Sequence, residues 1–361
     1  GCTSTPADPG LLVIVTDGIR GDRMGRPLHS SSVPELSELA DLGTRFDRMY
    51  ATSTSASSTL ATVFSGLLPT VHGQRSSAPF SSSAGTDWWF DGTVASFESW
   101  PPERWNSLAV SAPTVDSASP VDLRVVGIPM LGRTQTAEPY DAALLEADQR
   151  IGTMVSEWRA GHPLGTVVVV GLRGALAEAR FDAELGLTDD WLHVPLVMVG
   201  PSIPSGWSVS DPVSAVDVGT WLARRVGARN FGSGRNPLNG GSDHAYHESV
   251  LGMERFGSVA LRGFTDNAGR FVYGTYGEWY AHTDGGVRPY PNPVSNHPQH
   301  RETLFAITGA AESHTPDSDA IDPRSLASDM TLVHKARRAI ERGRVGAATR
   351  IIDRLKQTHP Q

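Results

Sequence analysis

The chain has 361 residues, 39% of them hydrophobic and 19% charged, with a formal net charge of −8 at pH 7. That length buries a sizeable core in one large domain, alone or with a small appendage, and the acidic balance excludes nucleic-acid or anionic-membrane binding driven by bulk charge. No stretch of about twenty apolar residues reads as a transmembrane segment, and a single cysteine excludes internal disulfides and cysteine metal clusters.

Basic charge is almost all arginine. The only lysines are Lys335 and Lys356, so a site needing lysine in the body of the chain cannot form. The sequence opens Gly1-Cys2 and continues through polar Thr3 to Pro9. This resembles the start of a mature bacterial lipoprotein, with Cys2 acylated and residues 1–10 as a tether. A cloning remnant beside a chance cysteine is the plainer alternative. The lipoprotein reading implies an extracytoplasmic domain (periplasmic or cell-surface), anchored to a membrane without spanning it.

Leu11 to Val15 is a continuous apolar run, the mark of a strand buried on both faces. It ends in Thr16-Asp17-Gly18, at the carboxyl edge where open α/β sheets collect ligands. Val33 to Gly43 predicts a helix: Pro34 suits the first position, Leu36, Leu39 and Leu42 share a face, and Gly43 supplies a stop. Thr44-Arg45-Phe46 predicts a strand. Ala51 to Gly66 has a Ser/Thr-rich front that suits a helix N-terminus, where short hydroxyls cap free N–H groups.

Residues 76–92 read as a loop carrying Trp88-Trp89-Phe90. Asn106–Ser111 and Leu123–Ile128 predict strands. Helical spacing of Leu144, Ala147, Ile151, Met154, Val155 and Trp158 predicts a long amphipathic helix. Thr166–Val170 and Val194–Gly200 read as further buried strands, and Val213–Val226 as a helix. Ser258–Arg262 and Arg270–Tyr273 suggest a small antiparallel sheet. Residues 323–355 read as a polar, Arg-rich helical pair.

Six segments in order carry a family likeness. Val15 to Asp22 resembles the strand and Asp-Thr-Leu-Arg-Ala-Asp turn that open the sulfatase branch of the alkaline-phosphatase superfamily. Val33–Phe46 resembles its Thr-Pro-Asn-Leu…Gly-x-x-Phe helix and strand. Phe64–Gly73 is similar to Leu-Thr-Gly-Leu-Tyr-Pro-x-x-His-Gly. Tyr140-Asp141 with Asp148, Ile151 and Gly152 resembles the family's Tyr-Asp…Asp-x-x-Ile-Gly helix. Val194-Pro195-Leu196 resembles its Val-Pro-Leu strand. Leu304–Ile307 with Glu312 is a worn version of its closing motif. Together they span about residues 10–315.

The resemblance implies a three-layer α/β fold with a mostly parallel central sheet flanked by helices and a small C-terminal antiparallel subdomain. Residues 11–230 would form the core, 231–315 the subdomain and 316–361 a helical tail. It also implies sulfate or phosphate ester cleavage, with a divalent cation held by hard carboxylate ligands and an oxygen nucleophile at a helix N-terminus.

The residues at those positions depart from the pattern. Asp17 keeps the first ligand position, but its acidic partner is Gly18. The nucleophile position falls on Ala56, flanked by Ser55 and Ser57. Formylglycine from cysteine is excluded there, because the only cysteine is Cys2. For the two serines, helix capping is the plainer role. The second ligand pair is replaced by Leu172 and Arg173. Leucine cannot ligate, and arginine has no lone pair to give. The family's lysines are missing, and so is the His expected after Ile128.

Ser242-Asp243-His244, with His247 and Glu248 after it, repeats the ligand letters out of family order and reads as solvated loop. Arg173 is expected to pair with Asp17 and replace the lost cation, with Arg20 and His193 as further anion-pocket candidates.

Two functions follow. The first is a non-catalytic, sulfatase-like protein that binds an anionic ligand or a protein partner and needs no cofactor. The second is an active ester hydrolase recruiting Ser55 or Ser57, with Asp182, Glu184 and His193, around Ca²⁺, Zn²⁺ or Mn²⁺.

Overall fold

The structure is a computed structural model. It describes residues 10–24, 33–75, 137–175, 186–225, 232, 234–250, 260–274, 277–282, 298–309 and 342–358. It also describes short strands at 80–81, 93–94, 110–111 and 121–127, and a few residues between 332 and 339. Cys2, Trp88-Trp89-Phe90, Asp182, Glu184 and Glu312 lie outside them.

Strand β1 (Leu11–Asp17) is buried along its whole length, as a continuous apolar run demands. Helix α1 (Pro34–Leu42) follows, with Pro34 at its start. Its first amides are satisfied from a distance, since the Asp148 carboxylate accepts from Glu35 N at 2.8 Å and Leu36 N at 2.9 Å. Burial lifts the Asp148 carboxyl to a pKa of about 6.

Next come β2 (Thr44–Phe46), β3 (Met49–Tyr50), α2 (Ala56–Ser65) and α3 (Pro69–His72). Helix α2 ends at Gly66, whose φ of +67° is the left-handed conformation glycine supplies at helix ends. Four short or medium strands follow: β4 (Phe80–Ser81), β5 (Thr93–Val94), β6 (Val110–Ser111) and β7 (Val121–Gly127). Helix α4 (Ala137–Gly161) leads into β8 (Thr166–Arg173). The sequence ends that strand at Val170; the structure extends it through Gly171, Leu172 and Arg173, all buried.

The chain continues as α5 (Asp189–Leu192), β9 (His193–Val194), β10 (Leu196–Val199), β11 (Trp207–Val209), β12 (Val213–Ser214) and α6 (Ala215–Arg225). The last described parts are β13 (Ala245–Ser249), β14 (Leu261–Thr265), β15 (Gly269–Gly274), β16 (Gly277–His282), α7 (Pro298–Thr308) and α8 (Val345–Thr358). Leu304–Ile307 therefore sits within a helix.

The main sheet has the order β11-β2-β10-β8-β1-β7-β6. Its centre, β8-β1-β7, is parallel. The β10 strand runs antiparallel to β8 and β2, and β6 antiparallel to β7, so the sheet as a whole is mixed. Period-two alternation along β1 sorts its side chains between two cores. Leu11, Val13 and Val15 join the cluster with α2 and α6, whereas Leu12 and Ile14 join the cluster with α1 and α4. Helices thus cover both faces. A second sheet, β13-β14-β15-β16, is antiparallel throughout and packs Tyr246, Phe264 and Phe271 around Leu304 of α7.

Candidate functional site at the sheet edge

Asp17 ends β1 at the carboxyl edge of the central sheet. Thr16 is paired with Gly171, but Asp17 is paired with Arg173, so Leu172 is skipped by a β-bulge. Two residues of β8 here oppose one of β1, and the bulge re-aims the side chain that follows it. The consequence is a direct ion pair. Arg173 Nε donates to Asp17 Oδ1 at 2.8 Å and Nη2 donates to Oδ2 at 3.4 Å. The two side chains are only 5% and 4% exposed. The guanidinium also lies over the Trp191 ring, 5.7 Å from its centroid.

The neighbouring backbone is shaped to the same arrangement. Gly18 has φ +94°, where an L-residue such as aspartate is strained. Its N–H donates to Arg173 O at 3.0 Å, and its carbonyl accepts from Tyr140 Oη at 3.0 Å. Leu172 and Ala56 point into the same apolar core as Trp191 and Leu187. Two positions that the resemblance assigns to a ligand and a nucleophile are therefore core residues.

Arg20 and His193 do not join the Asp17 pair through any described contact. Arg20 pairs with Asp22 at 2.7 Å and also with Asp190. The His193 Nε2 donates to the Asp47 carbonyl at 2.9 Å, and its ring packs on Tyr50. Burial pushes its pKa below the ordinary histidine value.

The front of α2 differs from the sequence expectation in detail. Ser55 is the N-cap residue, but its side chain makes no capping bond. Instead Ser53 Oγ accepts from Ser55 N at 3.1 Å. Ser57 is buried and makes no capping bond either. The segment is tied sideways to β13, with Glu248 N donating to Thr52 O and Thr54 N to Glu248 O. Loop-to-strand pairing, rather than serine capping, fixes this helix end.

His247 and Glu248 are the second departure: both are fully buried in β13, where the sequence suggested solvated loop. Glu248 accepts a bidentate pair from Arg75 at 2.9 and 2.8 Å and a bond from Tyr246 Oη at 2.9 Å. His247 Nδ1–H donates to Ala51 O, and Nε2 accepts from Thr265 Oγ1, each at 2.8 Å. Burial lowers its pKa to about 3 and keeps it neutral. Both residues bind the loop before α2 to the small sheet. His72 is likewise buried with a pKa of about 3. Its Nδ1 accepts from Gln74 N at 3.1 Å, so Nε2–H faces Thr62 Oγ1 at 3.0 Å.

A divalent cation does not fit the described residues. Both Asp17 oxygens are engaged by a guanidinium, Gly18 has no side chain, and Leu172 is an apolar core residue. Among the described residues no three His, Cys, Asp or Glu side chains form a group able to hold a metal ion.

Comparison with solved structures decides the fold. A phosphonate monoester hydrolase from Silicibacter pomeroyi matches with TM-score 0.53 and 13% identity, over 83% of this chain and 94% of that one. This chain has the alkaline-phosphatase/sulfatase-like fold. A 2-O GAG sulfatase is similar with TM-score 0.55 and 13% identity, over 83% and 90% of the two chains. A protein of the alkaline phosphatase superfamily from Vibrio parahaemolyticus gives TM-score 0.54 and 12% identity, over 85% and 88%. No protein-family model matches the sequence, and no curated protein is similar to it in sequence. Among the described residues no helix is long and apolar enough to cross a membrane.

Proposed function

We propose that this chain is a non-catalytic protein of sulfatase-like fold that acts by binding a ligand or a protein partner. The observation that carries the reading is the buried Arg173–Asp17 pair. In ester hydrolysis assisted by a metal, the cation neutralises the oxyanion and lowers the pKa of the attacking oxygen. A guanidinium supplies positive charge but cannot activate an oxygen by coordination.

Three features support the same reading independently. The position that the family resemblance assigns to the nucleophile is Ala56, a core methyl group. The second acidic position is a glycine in left-handed conformation. The bulge in β8 brings arginine, rather than a ligand, opposite Asp17. Each would have to change before a cation could be gripped there.

The hydrolase alternative is tested on the purified chain. Thermal melts are run with Ca²⁺, Zn²⁺, Mn²⁺ or a chelator, and 4-nitrophenyl sulfate and phosphate are offered as substrates. The expected result is an unmoved Tm in every case and no turnover above the metal-only blank. One equivalent of bound metal, a raised Tm by linkage and turnover that Arg173 variants alter would overturn the proposal.

A further inference from the structure

A cleft lies among residues that are not those of the Asp17 pair. It has a volume of about 350 Å³ and is lined by Leu68, Val216, Ala306 and Ile307 on its apolar side and by Arg235, Asp243 and His244 among its polar groups. Its size lies at the lower end of the range of small-molecule sites, but its accessible lining is more polar than apolar and its mouth is open to solvent.

The polar wall is held rigidly from beneath. Asp217, fully buried, accepts from Ser214 N at 2.9 Å, Arg235 N at 2.8 Å and Ser242 N at 3.0 Å, and also from the Ser242 hydroxyl. One carboxylate therefore fixes both ends of the 235–242 loop. Gly234 lets that loop approach α6 closely, since a Cβ there would stand 2.5 Å from Val216 O.

The charged groups themselves are accessible. Arg235 and Asp243 pair through two bonds of 2.7 Å, with side chains 59% and 67% exposed. Such an exposed pair is weak and exchanges readily with a competing ion. His244 stacks edge-on to Phe264, with ring centroids 5.0 Å apart. Its ring nitrogens bond no group among the described residues.

We infer that this cleft binds a small zwitterion with an aliphatic body, of the free α-amino acid class. Its carboxylate meets Arg235 and His244, its ammonium meets Asp243, and its side chain covers Leu68, Val216 and Ile307. A simple organic anion would face Asp243 unpaired, and a simple cation would face Arg235. A ligand carrying both charges pairs with Arg235 and Asp243 at once, whereas a ligand with a single charge pairs with one of them and leaves the other to water. The inference is independent of whether the Asp17 edge is catalytic.

The test is isothermal titration of the full chain with L-leucine and L-methionine, alongside two single-charge relatives of leucine, 4-methylpentanoate and 3-methylbutylamine. The expected result is saturable binding of the amino acids, weakened tenfold or more by loss of either charge. Arg235→Ala and Asp243→Asn should each weaken leucine binding at least tenfold while leaving the circular dichroism spectrum and Tm unchanged. The same experiment after Arg173→Met separates this site from the sheet edge: leucine affinity should not move. Absence of saturable amino-acid binding at millimolar concentration overturns the inference. So does equal binding of either single-charge analogue, or undiminished binding to both charge variants.

Discussion

Arg173 and Asp17 meet at 2.8 Å with side chains 5% and 4% exposed, whereas Arg235 and Asp243 meet at 2.7 Å with 59% and 67% exposed. The chemistry of the two pairs is the same and their surroundings are opposite. At the sheet edge both side chains are withdrawn from water, so removing either partner strands the other. On the rim of the amino-acid cleft both charges are solvated before they meet, and the pair is one of several partnerships open to them. Geometry alone therefore does not rank ion pairs. Burial decides which pair is part of the fold and which is available for recognition.

Breaking the buried pair should have the largest effect. Arg173→Met leaves Asp17 as a lone buried carboxylate and should cost about 3–5 kcal/mol in urea denaturation. Adding Asp17→Leu to that variant should recover most of the loss, because the penalty belongs to the orphaned charge. A single variant within 1 kcal/mol of the parent, on the order of an exposed pair, would remove the contrast on which the comparison rests.

Arg75 and Glu248 sharpen it, because they are an intermediate case: the carboxylate is fully buried while the arginine side chain is 32% exposed. Arg75→Ala should cost about 2–3 kcal/mol, less than the sheet-edge pair, since Tyr246 Oη still bonds Glu248.

Acid should separate buried neutral groups from exposed ones. His72 and His247 have folded pKa values of about 3, below the ordinary unfolded value, so the unfolded chain takes up their protons first. Their stability contribution is complete above about pH 6.5 and is lost as the pH falls toward 3. Asp148, raised to about 6, acts oppositely, holding its proton in the folded state between pH 4 and 6. Two histidines against one aspartate leave a net loss of about 2–3 kcal/mol between pH 7 and pH 5, and His193, also lowered by burial, acts in the same direction. Chemical denaturation across that range should show it, and His247→Gln should remove about 2 kcal/mol of the pH-dependent loss, most of the net effect.

The smallest effect belongs to Arg45 and Asp47, which lie on the surface with side chains 31% and 38% exposed. Arg45→Ala should change stability by less than about 0.5 kcal/mol in the same assay.

Much of the fold was legible because its signals are local and redundant. The apolar runs at Leu11–Val15 and Thr166–Val170 can only be interior strands, and the helical spacing from Leu144 to Trp158 marks one buried face. Pro34 and Gly43 bracket α1 as written. At the Asp17 edge the sequence raised the pairing of Arg173 with Asp17, and the structure brings the two side chains together. What no local pattern reveals is register. The bulge that skips Leu172 is a relation between β1 and β8, and it decides whether Arg173 reaches Asp17. Long-range satisfaction is hidden in the same way. Asp148 caps a helix more than a hundred residues earlier, and Glu248 looks solvated until Arg75 arrives from the other end of the core. The proposed amino-acid cleft is assembled from five separated segments, and no local pattern in the sequence marks it.

The left-handed turn at Gly18 has a consequence for how such a protein could ever change course. Restoring an acid there would strain the backbone, and restoring a ligand at position 173 would strand Asp17 inside the core. Each such single substitution passes through a less stable chain. The Arg173–Asp17 pair and the turn at Gly18 are thus locked to one another, since a change at either position is felt at the other.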